Sequence, residues 1–234
     1  MYKQPQVYYV DLQKLNDELF FESICSNMQN SYYWSDDWST EFYITLAKKG
    51  FISTTYDTKG GLVLLPELQY DYAVLDFEDL HISKKVKKLL VKDNYKFTID
   101  TKFDEVLDSF EKFHKYNWLK GRYVELLKSL HLQKRDDFKL FSVEVSSKDD
   151  EVLIAGEVGY MINNIYTSLT GFSLREKYYN NYGKLQMVLL AKYLEENGVR
   201  FWNLGHPHMS YKIDLGAKIY TRSQFLKRWE SCEI

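Results

Sequence analysis

The chain has 234 residues, of which 45% are apolar and 17% aromatic, so it can build a packed core and is not an intrinsically disordered chain. Its formal net charge of −2 excludes an overall positive field. Any contact with nucleic acid must therefore use a local basic patch.

The spacing of the cysteines and the length of the apolar stretches indicate the cellular compartment. Cys25 and Cys232 lack the spacing of a metal site and are expected to be free thiols in a reducing environment. No stretch is long and apolar enough to span a bilayer, and residues 1–12 lack the order of a signal peptide. We therefore expect a cytoplasmic protein that does not bind membranes.

Residues 1–95 are predicted to form a smaller N-terminal α/β domain. A short helix is predicted over residues 12–28, although its apolar spacing is loose, and Ser39 can cap a second helix that ends before Gly50. A turn is predicted at residues 60–61, between two short strands. An aromatic cluster fits either a stacking platform for a base or the packing of an N-terminal arm. The cluster comprises Tyr32, Tyr33, Trp34 and Trp38.

A lysine-rich helix is predicted near the end of this domain, in the sequence LHISKKVKKLL at residues 80–90. Ser83 can cap it, and Val86, Leu89 and Leu90 form its apolar face. The other face carries Lys84, Lys85, Lys87 and Lys88. This face is predicted either to bind a phosphate backbone or to be a solvated surface.

Residues 96–234 are predicted to form the larger domain. A strand at residues 97–99 precedes a helix that begins near Thr101, and a further helix follows Gly121. Trp118 lies between these helices and outside both apolar stripes. It is therefore predicted either to face a cleft or to pack at a hinge.

From Lys139 onward the pattern changes to strands. Strands are predicted at residues 140–145, 152–162 and 165–169, and Asn163 and Asn164 suit a tight turn between the last two. A largely apolar helix over residues 184–197 follows. The remaining predicted elements are a buried strand at 199–204, a short strand at 217–221 and a basic tail.

The loop after the buried strand is the first candidate site. It carries Asn203, Gly205, His206 and His208, and open α/β sheets bind ligands beyond the carboxyl ends of their strands. The alternative is a core strand followed by an ordinary polar loop.

This order of elements resembles an N-acyltransferase core of the GNAT type. The predicted fold class is α+β, with a mixed, mostly antiparallel sheet flanked by helices. The GNAT phosphate loop, Gln/Arg-x-x-Gly-x-Gly/Ala, is matched here only by Gly183, and Leu185 stands where a small residue is needed. Coenzyme A is therefore not the expected cofactor.

Several segments also resemble segments of the leucyl/phenylalanyl-tRNA–protein transferases, in which they occur in the same order along the chain. The resemblance runs from about Phe42 to Trp229. The matching segments are FYITLAKKGFIS (42–53), LHISKKVKKLL (80–90), FTIDTKFDEVL (97–107), Asn117-Trp118-Leu119, FSVEV (141–145), TGFS (170–173) and DLGA (214–217).

The resemblance implies roles for individual residues. Trp118 would stack on the terminal adenosine of a tRNA, the four lysines would hold phosphates, and Phe172 with nearby rings would surround an apolar side chain. The further substrate-binding candidates are Glu144, Ser173, Tyr211 and Lys212.

The catalytic positions depart from the family pattern. Where the family has Asp-Cys-Gln, this chain has Asn203-Leu204-Gly205, and a neutral amide cannot replace a carboxylate. Asn203 and His206 are the catalytic candidates, because an imidazole can act as a base near neutral pH. The family's pocket glutamate falls on Leu169, and Pro66-Glu67 replace a tryptophan.

The resemblance implies an enzyme that moves an amino acid, expected to be apolar, from charged tRNA to the N-terminal amine of a protein or peptide. Such transfer marks the acceptor for degradation. We expect no metal or other cofactor, and a monomer. The alternatives are a coenzyme A-dependent N-acyltransferase and a non-catalytic tRNA-binding protein.

Overall fold

The periodicities of the sequence correspond to regular elements throughout the computed structural model, which describes residues 7–113 and 118–231. The helices are α1 (Leu12–Asn16), α2 (Glu18–Ser26), α3 (Thr40–Lys48), α4 (Lys84–Lys92), α5 (Phe103–Phe113), α6 (Arg122–His131), α7 (Tyr182–Glu196), α8 (Ser210–Asp214) and α9 (Arg222–Glu230). The strands are β1 (Tyr8–Tyr9), β2 (Tyr33–Trp34), β3 (Ile52–Thr58), β4 (Gly61–Glu67), β5 (Asp71–Leu75), β6 (Tyr95–Ile99), β7 (Lys139–Ser147), β8 (Leu153–Ile162), β9 (Ile165–Ser173), β10 (Phe201–Gly205) and β11 (Lys218–Thr221).

The elements group into two discontinuous units. Unit 1 comprises Met1–Tyr72, Trp118–Lys134 and Tyr220–Ile234, and unit 2 comprises Ala73–Asn117 and Arg135–Ile219. The division into domains 1–95 and 96–234 stays a prediction.

Unit 2 is built on a seven-stranded sheet with the order β11-β5-β10-β9-β8-β7-β6. Strands β6 to β9 pair antiparallel in succession, and β10 pairs parallel with β9 and antiparallel with β5. The predicted hairpin is confirmed: Asn163 and Asn164 have φ values of 44° and 59°, as a tight turn requires.

The two faces of this sheet carry different helices. Gln186 of α7 contacts Glu157, so the Glu157 side of β8 faces α7. Its neighbour Gly156 faces α5, because successive residues point to opposite sides of a sheet. A Cβ atom at Gly156 would lie 2.8 Å from Phe172 and 3.0 Å from Val106 of α5, so that any larger residue would force these side chains to shift.

Unit 1 contains the β3–β4 hairpin, the short parallel pair β1–β2 and helices α1, α2, α3, α6 and α9. The single helix predicted over residues 12–28 is two helices, because Asp17 is extended and caps α2 by accepting from Phe20 N. The predicted cap of α3 is confirmed, since Ser39 Oγ accepts from Phe42 N.

The basic tail is a helix that the sequence reasoning missed. Thr221 and Gln224 form a capping box at the start of α9, and Phe225 and Trp229 are buried. Across both described stretches of the chain, helices long and apolar enough to cross a bilayer are absent.

Candidate functional site

The central strand β10 presents its carboxyl end between β9 and β5. Asn203 is buried there, where its Nδ2 donates to Thr167 Oγ1 at 3.3 Å and its Oδ1 accepts from Gly205 N at 2.9 Å. Gly205 has a φ of 72°, which turns the chain out of the sheet. The Asn203 amide therefore fixes the end of the strand.

Lys212 of α8 reaches back to the same strand end. Its Nζ donates to the carbonyl oxygens of Leu204 and His206 at 2.5 and 2.7 Å, and its residue is only 5% exposed. Burial lowers the pKa of Lys212 to about 8, an effect that the charge of Glu157 partly opposes. Lys212 thus ties α8 to the turn that carries His206.

Glu157 on β8 is a buried carboxyl that the sequence reasoning missed. It accepts from Ser168 Oγ at 2.5 Å, Tyr166 OH at 3.1 Å and Gln186 Nε2 at 3.4 Å. Burial raises its pKa, and these hydrogen bonds and Lys212 act in the opposite direction. The available signal was an acidic residue inside an otherwise apolar strand, which requires hydrogen-bond partners.

The loop after β10 carries the aromatic candidates. The rings of His206 and His208 stack with their centroids 5.2 Å apart. Tyr211 follows on α8, where burial, assisted by the charge of Glu157, raises its pKa to about 12. The structure therefore brings Asn203, His206, Tyr211 and Lys212 together around one strand end.

Phe172 and Glu144 lie on the α5 face instead. Phe172 is 7% exposed and packs against Phe110 and stacks on Phe113, at centroid distances of 5.7 and 5.1 Å. The Glu144 carboxylate accepts from Thr98, Thr101, Lys102 and Ser142. It thus stabilises the start of α5, and the substrate-binding roles of both residues stay predictions.

Ser173 ends β9 beside the first turn of α7, where a Cβ atom at Gly183 would lie 2.9 Å from its Oγ. A cavity of about 450 Å³ adjoins this turn. It is lined in part by Arg175, Lys177 and Lys184. These residues form a cationic surface separate from the end of β10.

The predicted nucleic-acid contacts lie in two different parts of the chain. Lys84, Lys85, Lys87 and Lys88 are all exposed on α4, whose Ser83 cap is confirmed. Trp118 belongs to unit 1, where its ring meets Tyr123 edge to face at 5.5 Å and its carbonyl oxygen accepts from Thr55 Oγ1. Its neighbour Asn117 lies outside the described residues.

Comparison with solved structures finds similar folds at low sequence identity. The crystal structure of FemX superposes with a TM-score of 0.50 at 12% identity, covering 82% of this chain and 70% of that chain. A GCN5-related N-acetyltransferase from Kribbella flavida gives a TM-score of 0.42 at 10% identity, covering 80% and 63%. The FemX superposition and the observed sheet confirm the predicted α+β class, with a mixed, mostly antiparallel sheet flanked by helices.

Two curated sequences are similar to this chain, and both are named leucyl/phenylalanyl-tRNA–protein transferase. The one from Flavobacterium johnsoniae is 26% identical over 157 residues, covering 65% of this chain and 69% of the relative. The one from Pseudoalteromonas atlantica is 27% identical over 160 residues, covering 66% and 63%.

A family model describes more than half of the chain. It is the model for leucyl/phenylalanyl-tRNA protein transferase, and it matches residues 74–230, which run from within β5 to the end of α9. This segment contains the end of β10, the lysine helix α4 and the buried Glu157. The chain therefore belongs to the leucyl/phenylalanyl-tRNA–protein transferases, a family of aminoacyltransferases whose donor is aminoacyl-tRNA.

Proposed function

We propose that this protein transfers an apolar amino acid from charged tRNA to the N-terminal amine of a protein or peptide. The observation that carries the proposal is the family match over residues 74–230, which includes every residue around the end of β10. The transferred group would mark the acceptor for degradation, in the cytoplasm.

The lysine face of α4 supports a polyanionic donor. Four exposed lysines lie within two turns of one helix, and among the described residues none of them pairs with a carboxylate. Phosphate binding requires such charge without sequence-specific geometry. Trp118 is the proposed stacking surface for the terminal adenosine.

The reaction is aminolysis of an ester that the tRNA already activates. The enzyme must align the amine with the ester carbonyl, accept a proton from the amine and stabilise the oxyanion. Of the groups at the end of β10, the imidazole of His206 suits the proton-accepting role. Asn203 and Lys212 are positioning residues, because their hydrogen bonds hold the strand end and the His206 carbonyl.

The proposal is tested with purified protein, tRNAs charged with labelled amino acids and peptides that differ only in their N-terminal residue. We expect label to move from an apolar aminoacyl-tRNA to a peptide with a free α-amine. The same peptide N-acetylated is the matched control and should accept nothing. Transfer to no peptide from any charged tRNA would refute the proposal, and acylation from acyl-coenzyme A instead would establish the alternative.

His206 is tested in the same assay against its stacked neighbour. Removing a general base typically lowers a rate by about 10² to 10⁴, so His206→Ala should reduce transfer by at least about 100-fold. His208→Ala, which removes the other ring of the stack, should retain most of the activity. Equal rates for the two variants would exclude His206 as the base.

A further inference from the structure

A second cavity, of about 290 Å³, lies within unit 1, where residues of β1, α1, α2 and β2 line it. All of its lining residues precede residues 74–230, so the family match does not cover it. Its apolar walls include Tyr8, Tyr9, Phe20 and Ile24. Because a cavity of about 150 Å³ admits benzene, this one has room for an aromatic ring with a polar substituent.

Lys14 of α1 brings a positive charge to this cavity. Its Nζ donates to Tyr9 O at 3.2 Å and lies 5.1 and 5.9 Å from the ring centroids of Tyr9 and Phe20. In the described part of the chain, no carboxylate forms an ion pair with this ammonium. The carboxylates of Asp11 and Asp36 accept from Lys14 N and Tyr9 OH instead, and neither lines the cavity. Since an ammonium has three N–H donors, Lys14 can also donate to a ligand.

Tyr33 of β2 adds a buried hydroxyl to the same cavity. The residue is 2% exposed, and among the described residues its hydroxyl has no hydrogen-bond partner. Burial raises the pKa of this hydroxyl, and the charge of Arg222 acts in the opposite direction. A buried donor that bonds to nothing destabilises a protein, so this hydroxyl requires an acceptor that a ligand can supply.

Arg222 of α9 places a second positive charge behind the cavity wall. Its Nη1 donates to the carbonyl oxygens of Ile24 and Asn27, both of which line the cavity, at 3.2 and 2.6 Å. Because main-chain carbonyls occupy the guanidinium, it acts on the cavity through its charge, whereas Lys14 can bind a ligand directly. One ammonium within reach matches a singly charged anion better than a doubly charged phosphate.

We propose that this cavity binds a small aromatic monocarboxylate. The carboxylate accepts from Lys14 Nζ and Tyr33 OH, and the ring packs against the aromatic walls. Charge-assisted hydrogen bonds of this kind are roughly twice as strong as neutral ones. Binding here is independent of the proposed transfer, whose assigned residues all lie within residues 74–230.

Binding is tested by calorimetry with phenylacetate and benzoate. We expect saturable binding of at least one of them. Phenylacetamide keeps the ring but lacks the charge, and acetate keeps the charge but lacks the ring, so each should bind at least about tenfold more weakly. Failure of both aromatic carboxylates to bind, or equal affinity for phenylacetamide, would overturn the inference.

The role of Lys14 is tested against a second lysine of unit 1. Lys14→Gln should weaken binding of the aromatic carboxylate by at least about tenfold. Lys49→Gln is the matched control, because Lys49 is also half-buried and its Nζ lies 4.2 Å from the ring centroid of Phe21, but it does not line the cavity. Equal affinities of the two variants would place the ligand elsewhere and overturn the assignment.

The role of the Tyr33 hydroxyl is tested by comparing stability with binding. Tyr33→Phe should weaken binding about three- to tenfold without lowering the unfolding temperature of the free protein, because no internal hydrogen bond is lost. Tyr72→Phe is the control, since that buried hydroxyl accepts from Gln69 N and donates to Gly50 O. It should lower the unfolding temperature and leave the affinity unchanged. Unchanged affinity in Tyr33→Phe would show that the hydroxyl does not bind the carboxylate and would overturn the proposed site.

Discussion

At the scale of single residues, the end of β10 is built from groups that are costly to bury. The Lys212 ammonium and the Glu157 carboxyl are both nearly inaccessible, and each is surrounded by hydrogen-bond partners. Removing one hydrogen-bonding or charged side chain from such a buried cluster leaves its partner buried without compensation. The strand end is therefore held in one arrangement at some cost in stability.

The lowered pKa of Lys212 predicts how stability changes with pH. The folded state releases its proton near pH 8 and the unfolded chain near pH 10.5, so the unfolded state binds more protons between these values. The free energy of unfolding contributed by Lys212 therefore rises with pH across this window, by roughly 3 kcal/mol in total. We expect Lys212→Met to lose this rise in urea unfolding measured from pH 7.5 to 10.5. The same pH dependence in both proteins would contradict the prediction.

At the scale of elements, helix α4 packs one face into the core and exposes the other face to solvent. Val86 packs into the core cluster of unit 2, whereas the four lysines face solvent on the rest of the helix. Substitutions on the exposed face should thus change binding without changing the fold.

Replacing Lys84, Lys85, Lys87 and Lys88 by glutamine should weaken tRNA binding and flatten its salt dependence. Each lysine–phosphate ion pair contributes about 0.7 to 0.9 to the slope of log affinity against log salt, so the slope should fall by about 3 if all four lysines bind phosphate. Filter binding over a range of salt concentrations measures this slope. The matched control replaces four other exposed lysines, at positions Lys59, Lys96, Lys134 and Lys192. Equal slopes for the two variants would show that α4 does not contact the tRNA.

Local signals in the sequence predicted most elements. The Asn163-Asn164 turn and the Ser39 and Ser83 caps depend on neighbouring residues alone, and all three were predicted correctly. Helix α9 was missed because its apolar residues are few and lie among charged ones. Glu157 was missed as a site residue because Gln186 and Lys212 reach it only through the tertiary fold.

At the scale of the whole molecule, unit 1 is assembled around the guanidinium of Arg222. This buried group donates to six main-chain carbonyls from two distant segments, at residues 24–30 and 68–69. No carboxylate in the described chain pairs with it. One side chain of α9 thus supplies hydrogen bonds to the carbonyl groups at the end of α2, in the loop after α2 and just after β4.

Arg222→Lys should therefore destabilise the protein although it keeps the charge. An ammonium has three donors and cannot reach all six carbonyls, so we expect a loss of about 2 to 3 kcal/mol in chemical unfolding. Arg175→Lys, at an exposed position, should change stability by less than about 0.5 kcal/mol. A similar small effect at both positions would show that water or other donors replace the guanidinium.

The position of Arg222 along the chain has a consequence for biosynthesis. The last segment of unit 2 ends at Ile219, whereas unit 1 combines residues 1–72 with Arg222 of α9. Synthesis proceeds from the N-terminus at about 5 to 20 residues per second, and domains generally fold as they emerge. The carbonyls at residues 24–30 and 68–69 must therefore stay hydrated on the ribosome until synthesis has added the further 153 positions that lead from Gln69 to Arg222.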